Sequence, residues 1–310
     1  MGTSLIPKLA RKYPVVCYSA NHFGNAIARV KNVEFIEGDI RDRARVKKAI
    51  KGSTDVIHLA GIVTDELAAM NPKLAIEINN TAMEGLCNLA VLAGIERFIY
   101  ASSSGVYGTQ PDNNVATELT EPRPETVYMR TKLEGETILW RYPQLCGVAV
   151  RSATCCGPAP RMRLDTIVNV FSKQAYFDGV ITVHDGTQWR TYIHVQDATD
   201  FYMLLLEARI EHIRGEVFNC TWGNDNAKAI AETVAEIIPA KVNIVSDIKD
   251  ARQYKMNAYK AEEKLGWIAK RSLWDAIRDN QAFFEGGGIQ DPDSDIWYNT
   301  RRMASLMTQA

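Results

Sequence analysis

Short apolar runs alternate with segments of helical spacing through the first half of the chain, and this alternation constrains the fold most strongly. Each apolar run is bounded by glycine or polar residues, as strands usually are. Strand–helix alternation predicts a parallel sheet covered by helices on both faces, the doubly wound α/β arrangement. The predicted strands begin near Val15, Val33, Asp55, Phe98 and Val148, and the predicted helices cover 43–50, 74–93 and 128–141.

Charge and cysteine usage exclude several classes of protein. The 36 basic residues nearly balance the 37 acidic ones, so neither nucleic acid nor an anionic membrane is expected as a partner. No apolar run approaches the ~20 residues that span a bilayer, and no signal peptide opens the chain. The six cysteines lack zinc-type spacing, which predicts buried free thiols, no metal site and a cytoplasmic location.

Tyr128 and Lys132 carry the clearest chemical signal. Residues four apart lie on one face of a helix, so the lysine ammonium could stabilise a phenolate and lower the tyrosine pKa. A serine from the 102–104 run could hydrogen-bond the same substrate oxygen. This arrangement suits an alcohol being oxidised or a ketone being reduced, although the pair alone could be an ordinary helix surface.

Seven segments together resemble the extended short-chain dehydrogenase/reductase family of nucleotide-sugar epimerases, dehydratases and decarboxylases. They occur in the family's order and spacing and cover nearly the whole chain. The resemblance implies a Rossmann-type dinucleotide-binding domain at 1–157. It also implies that 158–310 form mainly a smaller C-terminal substrate-binding lobe, with elements interleaved between the two. The segments are 38–42, 55–61, residue 79, 98–108, 128–136, 151–158 and 190–197.

The resemblance also implies roles for individual residues. Tyr128 would be the general acid/base, Lys132 would lower its pKa and hold the nicotinamide ribose, and Ser103 would bind the reacting hydroxyl. The implied cofactor contacts are Gly2, Ser19, Asp39, Ile40, Leu59, Ala60, Gly61 and Asn79, together with Tyr128 and Lys132. The implied substrate contacts are Ser103, Ser104, Thr154, Arg190 and Arg252. Arg161 and Arg163 add positive potential to the substrate lobe.

The beginning of the chain departs from the family pattern. Gly2 matches the third glycine of the family's glycine-rich turn, so the first strand and most of that turn are missing. We expect a truncated sequence, a gap in the sheet and weakened dinucleotide binding. At the end of the next strand Ser19 replaces the usual acidic residue, and the sequence places no arginine nearby to clamp a 2′-phosphate. NAD is therefore the predicted cofactor, with NADP as the alternative.

The subfamily is indicated by the residues that follow Ser103. Dehydratases carry an Asp-Glu pair where this chain has Ser104 and Gly105, which disfavours dehydration, and Thr154 replaces an asparagine of uridine-diphosphate-galactose epimerases. The sequence therefore predicts an NAD(P)-dependent nucleotide-sugar epimerase acting on a nucleotide-diphosphate sugar. A 4-ketosugar reductase and a non-catalytic Rossmann-type binding or regulatory protein stay open.

Family resemblance further implies a homodimer paired through helices 74–93 and 128–141. We expect four apolar residues on the outer faces of these helices to form the contact between the two copies. These are Ala75, Met83, Leu86 and Ile138.

Overall fold

The computed structural model describes residues 1–111, 114–246 and 253–309. The strands are Val15–Ser19 (β1), Val33–Glu37 (β2), Asp55–His58 (β3), Arg97–Ala101 (β4), Val115–Ala116 (β5), Cys146–Ser152 (β6), Thr154–Cys156 (β7), Val180–His184 (β8), Trp189–His194 (β9), Glu216–Cys220 (β10), Gly223–Asn226 (β11), Lys241–Val245 (β12) and Lys255–Met256 (β13). The helices are Gly2–Leu9 (α1), Arg43–Ala49 (α2), Asp65–Met70 (α3), Pro72–Ile76 (α4), Ala82–Leu92 (α5), Val127–Trp140 (α6), Ile167–Lys173 (α7), Val195–Glu207 (α8), Ile210–Ile213 (α9), Ala227–Ile237 (α10), Tyr259–Leu265 (α11), Leu273–Glu285 (α12) and Asn299–Gln309 (α13).

A four-stranded parallel sheet in the order β10-β6-β4-β3 forms the centre of the fold. Its strands carry apolar side chains on both faces because side chains alternate along a strand. Ile99 of β4 packs towards α1 and α8, whereas Phe98 and Tyr100 pack towards α2, α5 and α6. The predicted doubly wound α/β fold is confirmed.

The sheet is interrupted between β1 and β3. β1 pairs with β2 in parallel as a separate two-stranded sheet, and within the described residues no strand is hydrogen-bonded between β1 and β3. Both facing edges line a cavity of about 2010 Å³ that also runs along the carboxyl ends of the strands. The expected gap in the sheet is therefore present in this structure.

A second group of elements packs beyond residue 157. Helices α7, α10 and α12 enclose an apolar cluster with β8 and β9. The chain then returns, because β10 joins the edge of the central sheet and α8 covers one of its faces. Elements from both sides of residue 157 thus share the central sheet.

The predicted helix 74–93 is divided into α4, a π-helical turn Glu77–Thr81 and α5. The assignment of its outer face was wrong. Each of the four residues expected to contact a partner packs inside the chain itself, three of them against the central sheet and Ala75 against α3. Those residues, at most 7% exposed, are Ala75, Met83, Leu86 and Ile138. Pairing into a homodimer stays a prediction, and Leu92 and Trp140 are exposed apolar residues on α5 and α6.

None of the helices in the described ranges has the length and apolarity needed to cross a membrane.

Candidate active site

Ser103 and Tyr128 meet at the wall of the cavity. Ser103 follows the end of β4 and accepts a hydrogen bond from the N–H of Gly105, which starts a short 3₁₀ helix at Ser104–Tyr107. Tyr128 lies in the first turn of α6, whose N-cap Thr126 accepts from the N–H of Met129. A hydrogen bond links the side chains of Ser103 and Tyr128. The predicted serine–tyrosine pair is thus brought together.

Lys132 lies one turn further along α6 and is almost fully buried. Its Nζ donates to the carbonyl of Ala101 at 2.8 Å and lies 5.1 Å from the centre of the Tyr100 ring. Gly135 allows the Tyr100 ring to pack against α6, because a Cβ at residue 135 would collide with the hydroxyl of Tyr100. Burial lowers the pKa of Lys132 to about 8, and the nearby carboxylate of Glu136 opposes that shift.

The predicted lowering of the Tyr128 pKa was wrong in direction. Burial raises the pKa of Tyr128 to about 12, while the hydrogen bond from Ser103 acts the other way. The tyrosine–lysine spacing predicted only the charge effect. Burial of the phenol depends on elements distant in sequence, so the spacing could not include it.

Glu136 and Arg151 form a buried ion pair behind Lys132 that sequence reasoning did not single out. Glu136 also accepts a hydrogen bond from the hydroxyl of Ser102 at 2.5 Å. Arg151 stacks over the ring of Tyr107, with its guanidinium carbon 4.9 Å from the ring centre. The sequence feature that could have indicated this pair is a glutamate one turn after Lys132 on the same helix. This network joins β4, β6 and α6, the elements that position the catalytic candidates.

Most of the predicted cofactor contacts lie along the carboxyl edge of the sheet. Ser19, at the end of β1, accepts from the N–H of Asn21. Gly61 lies so close to Asn79 that a Cβ would come within 2.8 Å of the amide oxygen. The predicted cofactor contacts that line the cavity are Gly2, Ser19, Asp39, Ile40, Leu59, Ala60, Gly61, Tyr128 and Lys132.

Asn79 and Asp39 are both engaged by the protein. The Asn79 amide accepts from the N–H of Ile62 at 2.8 Å and donates to the hydroxyl of Thr131 at 2.9 Å. Asn79 therefore holds the loop after β3 against α6, behind the cavity wall, and its direct contact with cofactor stays a prediction. Arg41 pairs with Asp39 at 2.7 Å and holds the pKa of that carboxyl below its usual value.

Four of the predicted substrate contacts line the same cavity, namely Ser103, Ser104, Thr154 and Arg190. Ser104 is almost fully buried, and Arg190 donates from Nη1 to the carbonyl of Trp189 at 2.9 Å. Arg252 lies outside the described residues. The serine–tyrosine–lysine group and the substrate candidates therefore share one cavity.

Two arginines occupy places that the sequence did not predict. Arg161 was expected in the substrate lobe, yet its guanidinium carbon lies 3.8 Å from the centre of the Phe23 ring, in the loop after β1. Arg45 donates to the carbonyl of Glu37 at 3.2 Å, and Glu37 pairs with Ser19. Arg45, which is distant in sequence, therefore lies near the end of β1, because α2 packs against that strand.

The cavity fits a dinucleotide. The buried Nη2 of Arg161 has no hydrogen-bond partner among the described residues, and Arg161 lines the cavity. Both features suit a close-lying anionic ligand at the carboxyl ends of parallel strands. Across the described part of the chain, no group of three His, Cys, Asp or Glu side chains could hold a metal ion.

Comparisons with known proteins show the family of the chain. A sequence model of the NAD dependent epimerase/dehydratase family matches residues 1–221. The chain is 29% identical to UDP-glucuronic acid decarboxylase 5 of Arabidopsis thaliana, over 72% of the chain and 67% of that protein. It is 26% identical to UDP-glucose 4-epimerase 4 of Oryza sativa subsp. japonica, over 86% and 80%. The solved structure of MoeE5 in complex with UDP-glucuronic acid and NAD matches with a TM-score of 0.81 and 25% identity, over 92% of this chain and 95% of that chain.

Proposed function

Because the chain belongs to the NAD-dependent epimerase/dehydratase family, we propose that it is a nucleotide-sugar epimerase that inverts a ring carbon by transient oxidation and re-reduction. The observation that carries this proposal is the group Ser103, Tyr128 and Lys132 at one cavity wall, with Ser104 and Gly105 beside it in place of acids. A binding module would have no need of this proton-transfer group.

Each side chain has a distinct task in this proposal. Tyr128 acts as a phenolate that accepts the proton of the sugar hydroxyl and, as the phenol, later returns it. Ser103 holds the same sugar oxygen, and Lys132 stabilises the phenolate that is present before oxidation and again after re-reduction. When bound, NAD supplies a nicotinamide ring that takes a hydride from the sugar and returns it. Gly2, Ser19 and residues 59–61 would hold the dinucleotide.

The residues after Ser103 favour epimerisation over dehydration. Elimination of water needs an acid and a base near the leaving hydroxyl, and the chain has neither at 104 or 105. A Cβ at Gly105 would already lie 3.3 Å from both the Met129 side chain and the Ser103 hydroxyl, so a glutamate there would displace them. Two other acids in the cavity are engaged, since Asp65 accepts from Thr126 and Asp165 pairs with Arg163 at 2.8 Å.

The proposed substrate is a nucleoside diphosphate sugar. Arg190 lines the cavity. A guanidinium suits a diphosphate because its planar donors can bind two oxygens at once. The rice relative is a UDP-glucose 4-epimerase, and MoeE5 was solved with UDP-glucuronic acid and NAD. UDP-glucose and UDP-glucuronic acid are therefore the first substrates to test.

The test is to incubate the protein with NAD and each sugar nucleotide and to follow the products by NMR. We expect an equilibrium mixture of two epimers without net formation of NADH, and no product from the Tyr128→Phe variant. Stoichiometric oxidation of NAD(P)H with a 4-ketosugar would instead identify a reductase. Tight binding of NAD without turnover of any sugar nucleotide would favour a binding protein and contradict the proposal.

A further inference from the structure

Two contacts fix the side chain of Arg161 beside the loop that follows β1. Its Nε donates to the carbonyl of Ile296 at 3.0 Å, and its guanidinium carbon lies over the Phe23 ring, 3.8 Å from the ring centre. Nη2 is shielded from solvent and bonds to no group in the described ranges. The side chain also lines the large cavity. Arg161 therefore keeps an oriented donor that the described residues do not use.

The charge of Arg161 is only partly compensated. The carboxylate of Asp165 acts on the charge of Arg161, but it is already paired with Arg163 at 2.8 Å. Burial lowers the pKa of Arg161 to about 10, and the positive charge of Arg163 adds to that effect. A partly buried cation without its own counter-ion is costly. An anion bound at this point would remove that cost.

The position of Arg161 identifies the class of anion. Its backbone N–H donates to the hydroxyl of Thr3 at 3.4 Å, so the residue adjoins the first turn of α1. The N-terminal end of a helix is electropositive, and Phe23 follows the carboxyl end of β1. Diphosphates of dinucleotides bind at this edge of doubly wound sheets, beside a helix N-terminus.

We propose that Arg161, stacked on Phe23 beside the start of α1, binds the diphosphate of the dinucleotide. This inference rests on the proposed function for the identity of the cofactor. A diphosphate is also part of a nucleotide sugar, but Arg161 contacts the β1 loop and α1, whereas Arg190 lies on β9. The location therefore favours the dinucleotide as the source of the diphosphate.

The test measures binding by calorimetry, with no need for turnover. The probes are ADP-ribose and NAD, which carry the diphosphate, adenosine, which lacks it, and UDP, which represents the sugar nucleotide. The variant Arg161→Met keeps a long apolar side chain beside Phe23 and removes the charged guanidinium. We expect roughly 10- to 100-fold weaker binding of ADP-ribose and NAD, with adenosine and UDP unchanged. Arg161→Lys should recover only part of the loss because lysine lacks the planar fork.

Arg302→Ala is the matched control, since Arg302 donates to the carbonyl of His22 at 2.8 Å and supports the same loop. It should bind ADP-ribose like the wild type, and thermal melting should show Arg161→Met folded. Unchanged ADP-ribose affinity in Arg161→Met, an equal loss for adenosine, or a wild type that binds no ADP-ribose would overturn the proposal. A loss confined to UDP would assign Arg161 to the sugar nucleotide. Binding through Arg161 without epimerisation would refute only the proposed function.

Discussion

Glu136 and Arg151 form a bidentate ion pair inside the protein, with Nε–Oε1 and Nη2–Oε2 distances of 2.9 and 2.7 Å. Both side chains are at most 6% exposed. Glu136 also accepts from Ser102, the residue next to Ser103, and lies one turn from Lys132. The pair therefore ties the strand end that carries Ser103 to the helix that carries Tyr128 and Lys132.

Glu136→Gln should move the alkaline limb of the rate profile to lower pH. The Glu136 carboxylate raises the pKa of Lys132, while burial lowers that pKa to about 8. Without the carboxylate, Lys132 loses its proton at lower pH, so stabilisation of the phenolate fails earlier as pH rises. Profiles of kcat against pH for both proteins measure this shift. Glu134→Gln, an exposed change on the same helix, should leave the limb in place, and an unmoved limb in Glu136→Gln would contradict the role.

Lys132→Met should abolish turnover and yet stabilise the folded chain near neutral pH. The folded-state pKa of Lys132 is about 8 against an ordinary 10.5, so the unfolded chain binds the proton more tightly. This penalty on folding is complete below pH 8 and disappears as pH rises towards 10.5. The penalty amounts to roughly 3 kcal/mol. Loss of the hydrogen bond to Ala101 in the variant offsets about 1 kcal/mol of the stabilisation that removing the penalty gives. Urea unfolding at pH 7 and pH 10.5 tests it, and an equal effect at both values would refute it.

Tyr128→Phe should reduce turnover by ~10²–10⁴ while the fold is retained, because only the proton-carrying hydroxyl is removed. The measurement is kcat with the sugar nucleotide identified above, together with a thermal melt. Near-normal activity in a folded variant would exclude Tyr128 from the mechanism.

Arg190→Ala should raise KM for a nucleotide sugar strongly, because a diphosphate would lose its bidentate partner. Arg190→Lys should rescue it only in part, since an ammonium cannot reproduce the planar fork. Steady-state kinetics of the three proteins provide the comparison. Equal KM values would indicate that the substrate has no diphosphate at this residue.

Adding a strand and a Gly-x-x-Gly turn before Met1 should stabilise the protein and tighten NAD(H) binding. The strand could pair with the open edges of β1 and β3, and the turn would supply backbone N–H groups to the diphosphate. Calorimetric titration and thermal melting measure both effects, with a glycine–serine extension of equal length as the control. Equal binding by the unextended and extended chains would show that another segment already performs this role.

Local patterns allowed the elements themselves to be predicted. Strand starts at Val15, Val33 and Asp55 and the helix from 128 to 141 agree with the structure to within one or two residues. Periods of two and of 3.6 residues reflect which face of an element is buried, and they are visible within a few residues of sequence. The Tyr128–Lys132 pair could be recognised for the same reason, since both side chains lie on one helix.

Sequence by itself determined which segments are strands and helices and which residues are candidates for the chemistry, because those features depend on neighbours in the chain. Tertiary structure decided the rest. An apolar stripe does not say whether it covers its own sheet or a partner, so Met83 and Ile138 were misassigned to an interface. The Glu136–Arg151 pair, the stacking of Arg161 on Phe23 and the raised pKa of Tyr128 all arise from contacts between different elements. Burial and charge pairing depend on distances in space, which only the packed fold sets.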